Sequence, residues 1–322
     1  MELRELKYLL MLAEEKNISH AAEKLYITQS TLSTFIKQME AELHTRLFAR
    51  NSRGITPTPS GQVLIEHAKR MIQEFQLARN EISDLENLRT GEIRLGISTF
   101  RGTYILPHVM KNFHQQYPGI TITISEANTI DLEQKIIDGI LDLALVTIPY
   151  QVIKGPAPEP CIRDEISLVT LPDHPILEKA FPDSVTGRLS IDINEIVKYP
   201  VIMQRTNTVL GNLAGSLFAK YGIRPHSYHT SSTPLMAFSL IRSGLGIGFS
   251  FTSTEPYYPD LVYLALKPAE LYVDLTLVYP HHYVSKACRA LSRCFYEYGR
   301  KSLEKYDTKK KGIPPDGVTP SL

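Results

Sequence analysis

The stretch Ser19–Arg50, SHAAEKLYITQSTLSTFIKQMEAELHTRLFAR, decides how the chain is read. It predicts two short helices joined by a tight turn, then a strand edged with arginine. Ser19 is positioned to cap a first helix that runs through Leu25 and packs on Ala21, Ala22 and Leu25. Tyr26 and Ile27 make the turn, and Thr28 caps a second helix reaching Leu43. On that helix Leu32, Phe35, Ile36, Met39 and Leu43 recur at helical spacing and form one apolar face. The opposite face and the first turn carry Gln29, Ser30, Thr31, Ser33, Thr34, Lys37 and Gln38. Such compact polar side chains fit a major groove and reach base edges. The strand LFAR continues through Asn51-Ser52-Arg53-Gly54 into Ile55-Thr56, a β-hairpin whose Arg50 and Arg53 are placed to touch phosphates or a minor groove. A solvated helical hairpin is the plain alternative. The small pair Ala21-Ala22, the short turn and the two wing arginines weigh against it.

On the N-terminal side, residues 2–15 predict a helix with Leu3, Leu6, Leu9, Leu10 and Ala13 turned inward, which gives the helix pair a surface to pack on. On the C-terminal side, TPTPSG supplies Thr58 as N-cap and Pro59 at the first position of a long helix. There Leu64, Ala68, Met71, Phe75, Ala78, Ile82 and Leu85 follow a 4, 3, 4, 3, 4, 3 spacing. A heptad stripe of this kind between two domains predicts a dimerisation helix, and a symmetric pair of reading heads predicts a dyad-symmetric site on double-stranded promoter DNA. The competing reading lays the stripe on its own domain's core.

Arg89-Thr90-Gly91 reads as a hinge, after which the periodicity changes. Strand patterns at Ile93–Ile97, Ile120–Ser125 and Leu141–Thr147 alternate with helix patterns at Thr103–Tyr117 and Asp131–Asp138. After the Pro-rich run Pro149–Cys161 a second cycle begins near Glu165, with strands at Val201–Gln204, His226–Thr230, Ile247–Phe251 and Leu271–Tyr279. Its helices lie at Leu210–Tyr221 and Pro234–Arg242, with a last helix from Ser285 to Lys305; Leu177–Arg188 reads as a loop. Alternation of this kind predicts two α/β lobes with mainly parallel, doubly wound sheets and a cleft between them. Ligands of open α/β sheets sit at the carboxyl ends of strands beside helix N-termini. That rule selects Ser98, Thr99, Thr129 and Thr147 in one lobe, and Gln204, Thr206, Asn207, Thr230, Ser231 and Ser232 in the other. Ser98 and Thr99 also have an ordinary role as helix caps. Arg101 reads as a surface arginine, with a counter-charge to a carboxylate as its functional alternative. Phe100, Tyr104, Phe249 and Phe251 read as core, or as the lining of an apolar pocket.

The chain resembles the LysR-type transcriptional regulators. The likeness is carried by the layout of Ala13–Arg50, by RGITPTPSG (Arg53–Gly61), by GEIRLGIS (Gly91–Ser98) and by IRSGLGIGF (Ile241–Phe249). The resemblance implies an N-terminal all-α winged helix-turn-helix (1–58), a linker helix (59–89) and a C-terminal α/β two-lobed periplasmic-binding-protein-like effector domain (90–306). In this division lobe I is 91–162 with 267–306, lobe II is 163–266, and 307–322 is a disordered tail. It also implies a regulator answering a small, often anionic, metabolite, working as a homodimer or as a homotetramer of two kinds of dimer. Gln29, Ser30, Thr31, Ser33, Thr34 and Lys37 match the family's recognition helix, Arg50 and Arg53 its wing, and Ser98 and Thr99 its ligand-contacting pair. Ser30 stands where proline is common, and Thr34 where a larger, often basic, residue is frequent. A short hydroxyl makes no bidentate contact to guanine.

Composition limits the alternatives. Hydrophobic content of 43% and charged content of 21% fit a soluble globular chain. No apolar run approaches the roughly 18 residues of a membrane span, and MELRELKYLL is not a signal peptide, so a cytoplasmic protein is expected. Between Thr28 and Ser60 four basic residues face two acidic ones, so phosphate affinity per subunit should be modest. Cys161, Cys288 and Cys294 form no metal spacing, and no cofactor, metal or catalytic constellation is called for. A redox switch through Cys288 and Cys294 would need local unfolding, because six residues separate them on a predicted helix.

Overall fold

The computed structural model describes residues 2–310 apart from 52–53, 86–89, 149–158, 185, 207, 232, 270 and 281–282. Arg53, Asn207, Ser232, most of the Pro-rich run, His281-His282 and the tail from 311 therefore lie outside the described residues. The N-terminal unit packs α1 (Leu3–Glu15), α2 (Ile18–Lys24) and α3 (Gln29–Glu42) against a hairpin of β1 (Phe48–Asn51) and β2 (Gly54–Pro57). Leu6, Leu9, Leu12, Ala21, Leu32 and Ile36 are buried together at its centre. Burying a side chain of this size contributes roughly 1.5–3 kcal/mol. Two expectations change here. Asn17, not Ser19, caps α2, its carboxamide oxygen accepting from Ser19 N at 2.9 Å and His20 N at 3.1 Å. Leu43 lies at the C-cap of α3 and is exposed, since the helix has ended before it could turn inward.

Helix α4 (Pro59–Leu85) leaves this unit, with Thr58 Oγ1 accepting from Gly61 N at 3.1 Å. Beyond it come β3 (Gly91–Ile97), α5 (Thr99–Gln116), β4 (Ile120–Glu126), α6 (Thr129–Ile137) and β5 (Leu143–Thr147), then β6 (Ile162–Thr170). The second lobe holds β7 (Phe181–Pro182), β8 (Leu189–Asp192), β9 (Pro200–Gln204), α7 (Val209–Tyr221), β10 (His226–Ser231), α8 (Pro234–Arg242), β11 (Ile247–Phe251) and β12 (Val262–Lys267). The chain returns through β13 (Tyr272–Val278) and ends in α9 (Lys286–Lys310).

Strand order runs β10-β9-β11-β6-β13-β5-β3-β4, with β12, β8 and β7 added beside β6. The sheet is mixed rather than mainly parallel. β4, β3 and β5 are parallel in one lobe, and β10, β9 and β11 in the other. β6 runs antiparallel to β11, β13 runs antiparallel to β5, and the two are antiparallel to each other, because they carry the chain between lobes and back. Residues 162–165 of β6 pair with β13, whereas Ile166–Val169 pair with β11, so one strand belongs to both lobes. Ile93, Leu95, Val109, Phe113, Leu143 and Phe295 fill the first lobe's share of the core. The expected loop at Leu177–Arg188 begins inside the 3-10 turn Pro175–Lys179 and contains β7. α9 runs to Lys310, beyond the expected start of the tail at Asp307. Among the described residues no helix is long and apolar enough to cross a membrane.

All three cysteines are buried. Burial pushes the thiols of Cys161 and Cys288 up to about 12, and raises that of Cys294 as well. A thiol alkylating reagent at pH 8 is expected to leave the native protein unmodified while labelling all three after denaturation. Rapid stoichiometric labelling of the native form would contradict this.

A Cβ on Gly61 would lie 1.9 Å from the Leu47 carbonyl oxygen, so α4 approaches the wing through backbone alone. Gly61→Ala should destabilise the N-terminal unit by roughly 1–3 kcal/mol, read as a lowered urea midpoint.

Candidate functional site

The DNA-facing candidates are held by backbone caps. At the turn between α2 and α3, Tyr26 takes φ 54°, and Ile27 N donates to Ala22 O at 3.0 Å. Thr28 Oγ1 accepts from Thr31 N at 3.2 Å and lies 2.8 Å from both the Ser30 and Thr31 hydroxyls. Ser19 Oγ donates to Gln29 Oε1 at 3.2 Å and ties the two helices together. Gln29, Ser30, Thr31, Thr34 and Lys37 are exposed and Ser33 is half-buried, so the polar face is turned outward. Exposed Arg50 stands opposite Ile55 in the hairpin. Asn51 Nδ2 braces the hairpin through Thr56 Oγ1 at 3.2 Å.

Sequence reasoning missed one residue here and the conformation of another. Glu40 Oε1 accepts from Leu47 N at 2.8 Å and Phe48 N at 3.1 Å, which fixes the wing's first strand to α3. A glutamate ending an apolar helix face gave no sign of this role. Tyr26, at the tip of the turn, is 96% exposed, and its positive φ was not legible because glycine or asparagine usually marks such a turn.

The heptad residues of α4 divide. Ala68 is fully buried in the N-terminal unit's own core and Leu64 is packed against that core, so Ala68 corrects the expected stripe. The first turns of α4 rest on α1, and the small side chain is consumed there. Met71, Phe75, Ala78 and Ile82 are exposed further along, and Leu85 ends the helix.

In the two-lobed domain, Ser98 precedes α5 as its N-cap but makes no side-chain capping bond, so its hydroxyl is not spent on the helix. Thr99 Oγ1 donates to Glu126 Oε2 at 2.7 Å. Thr129 opens α6 behind its cap Asn128, and Thr147 ends β5, so all four candidates of this lobe share the carboxyl edge of β3, β4 and β5. In the other lobe Gln204 ends β9, and Thr230 lies beside Met203 on the parallel neighbour β10. Gln204 is buried, and its Nε2 lacks a hydrogen-bond partner among the described residues; Thr206 and Thr230 are exposed.

Arg101 is a correction. α5 begins four residues before the expected Thr103, which brings Arg101 into its first turn and 93% out of solvent. Its Nη1 donates to Asp164 on β6, its guanidinium carbon lies 3.6 Å over the Phe251 ring, and its Nη2 has no partner among the described residues. Asp164 also accepts from Ser253 N at 3.1 Å and Ser253 Oγ at 2.6 Å, in a 3-10 turn over Thr252–Tyr257. Nearby, Tyr104 on α5 meets Tyr258 oxygen to oxygen at 3.0 Å, and burial raises the Tyr104 phenol above its usual range. Phe249 and Phe251 are core residues. Among the described residues no group of three or more His, Cys, Asp or Glu is placed to hold a metal ion.

Comparison with known proteins matches this layout. Residues 3–62 match the bacterial regulatory helix-turn-helix protein, lysR family, and residues 86–300 match the LysR substrate binding domain. The chain is 24% identical to the uncharacterized HTH-type transcriptional regulator YcgK of Bacillus subtilis (strain 168), covering 94% of this chain and 95% of that one. It is 25% identical to the probable RuBisCO transcriptional regulator of Trieres chinensis, covering 79% and 81%. Full-length OxyR from Pseudomonas aeruginosa shares the fold with a TM-score of 0.64 at 22% identity, covering 92% and 94%. Full-length CbnR, solved with its target DNA, gives 0.53 at 18%, covering 94% and 99%. The regulatory domain of Synechocystis CcmR, solved with 2-PG, gives 0.56 at 17%, covering 66% and 98%. With family matches over both its helix-turn-helix unit and its two-lobed domain, the chain belongs to the LysR family of DNA-binding transcriptional regulators.

Proposed function

We propose that this regulator is ligand-responsive, with a small-molecule effector binding between the two lobes and altering how a pair of winged helix-turn-helix heads holds and bends a dyad-symmetric promoter site. The observation that carries the reading is the outward polar face of α3 beside Arg50, on an arm whose outer half exposes Met71, Phe75, Ala78 and Ile82. Residues 1–58 form the reading head, 59–89 the dimerising linker and 90–306 the effector-binding part. Gln29, Ser30, Thr31, Ser33, Thr34 and Lys37 meet the groove, and Arg50 and Arg53 the backbone. Ser98, Thr99, Thr129, Thr147, Gln204, Thr206 and Thr230 meet the effector.

An anion at the α5 N-terminus would find the Ser98 hydroxyl and backbone N–H groups as donors, with the Glu126 carboxylate on Thr99 as its competitor. CbnR bound to its target DNA and the CcmR domain bound to 2-PG support the two kinds of partner by analogy of fold. A second dimer contact is supported by exposed Ile124, Ile130, Ile137 and Ile140 in lobe I and by Leu235 and Met236 in lobe II.

The reading stands or falls on promoter DNA from the protein's own gene neighbourhood, which it should bind with strong salt dependence. Arg50→Ala should weaken binding to all sequences alike and make the salt slope shallower by about one. A loss confined to one base position would count against a phosphate contact. Phe75→Asp should halve the dimer mass in light scattering, because a carboxylate would have to be buried in the apolar seam.

A further inference from the structure

In the reading head, one side-chain contact crosses the turn between α2 and α3. Asn17 is the N-cap of α2, and its carboxamide oxygen accepts from the N–H groups of Ser19 and His20. The Ser19 hydroxyl, on the second residue of α2, is therefore left without a capping task. It is directed across the turn instead, where Ser19 Oγ donates to Gln29 Oε1 at 3.2 Å, ten residues on. Gln29 is the first residue of α3, immediately after the N-cap Thr28. In a helix-turn-helix the N-terminal residues of the second helix reach base edges, while the first helix crosses the DNA backbone.

This contact decides which end of the Gln29 side chain leads. The carboxamide oxygen accepts and the NH2 group donates. Both sit on one planar carbon, so an oxygen held toward α2 turns the NH2 away from α2. The next two side chains are engaged locally, since Ser30 Oγ and Thr31 Oγ1 each lie 2.8 Å from Thr28 Oγ1. Ser19 and Gln29 are both exposed, so water competes for their bond in the free protein. Docking on DNA expels that water and strengthens the bond.

We infer that Ser19 is a positioning residue for base recognition: it holds Gln29 as a donor, so that the base pair facing the start of α3 is read as guanine. The inference rests on the function proposed above, in which Gln29 meets the groove. Glutamine reads adenine through two bonds, its oxygen accepting from N6–H and its nitrogen donating to N7. With Oε1 on Ser19 the first bond is lost, and adenine N6–H would face an NH2 group, donor against donor. Guanine presents N7 and O6, two adjacent acceptors, to the two hydrogens of that same NH2. Thymine offers O4 alone, beside a methyl group. Asn17 already supplies the cap, so removing the Ser19 hydroxyl breaks no bond within α2.

The test is selection of bound sites from a random double-stranded DNA library by the full chain, read by sequencing. Gln29→Ala identifies the base pair: its preference should vanish there and persist elsewhere. At that pair wild type should favour guanine over adenine by at least about five-fold, the lower end for one good base contact. Ser19→Ala should bring that ratio to about one or invert it, because the released oxygen can accept from adenine N6–H. Its total affinity should stay within about two-fold, and its urea midpoint should match wild type, as for an exposed substitution. Ser19→Thr, which keeps the hydroxyl, should restore guanine. The inference is overturned by a wild-type preference for adenine at the pair, by a Gln29→Ala or Ser19→Ala profile identical to wild type, or by a Ser19→Thr profile that matches Ser19→Ala. If wild type enriches no sequence, the function proposed above falls and this inference with it. An enriched site whose profile ignores Ser19 removes this inference alone.

Discussion

Strand β6 is the constraint on which the effector-binding half depends. Its first residues are hydrogen-bonded into lobe I and its last into lobe II, so neither sheet can form without fixing the other's origin. Asp164 sits just before the change of partner and gathers Arg101 from α5 and Ser253 from the 3-10 turn of lobe II. Dehydrating two charges costs several kcal/mol each, and their attraction alone does not guarantee a net gain. Here the carboxylate has additional donors in Ser253, and the guanidinium lies on the face of Phe251. Such a cluster is better at specifying one arrangement of two lobes than at adding stability, because any other arrangement strands a buried charge.

The reading head uses a different economy. Its orientation comes from caps and backbone contacts: Asn17 starting α2, Thr28 starting α3, Glu40 holding the wing strand. The side chains that meet the groove on the proposed reading are short. In the free protein the hydroxyls of Ser30 and Thr31 are turned to Thr28, so a base contact from either must exchange one hydrogen bond for another. Discrimination gained by such exchange is small, which moves weight onto Lys37, onto the wing and onto the deformability of the site itself.

Much of this was legible in the residues. Periodicity found the helix pair, the wing, the long helix and most strands, because apolar spacing at 3.6 and 2 survives in the sequence wherever a single face is buried. What escaped was set by long-range pairing. β12 and the mixed sheet follow from β6 serving two lobes, which no local pattern records. Arg101 read as a surface residue because its partners are 63 and 150 positions away, at Asp164 and Phe251. Ala68 fitted the heptad by spacing, yet α1 takes it, since a stripe in the sequence does not say which body covers it. The strand-end rule brought Ser98, Thr99, Thr129 and Thr147 to one edge of lobe I, but it could not see that Glu126 would hold Thr99.

Glu126 matters for what the cleft can accept. A helix N-terminus attracts an anion because its first N–H groups lack acceptors. A carboxylate one hydrogen bond away already occupies part of that field. An anionic effector on the proposed reading must then either displace Glu126 from Thr99 or supply enough contacts elsewhere to outweigh like-charge repulsion. On the proposed reading, Gln204 Nε2, a buried donor without a partner among the described residues, is the group of lobe II whose hydrogen bond an effector would complete at no cost in lost contacts. A ligand that bears hydroxyl or carbonyl acceptors toward lobe II and leaves Glu126 a donor to accept from satisfies both edges at once. A compact, fully anionic ligand satisfies one edge and opposes the other.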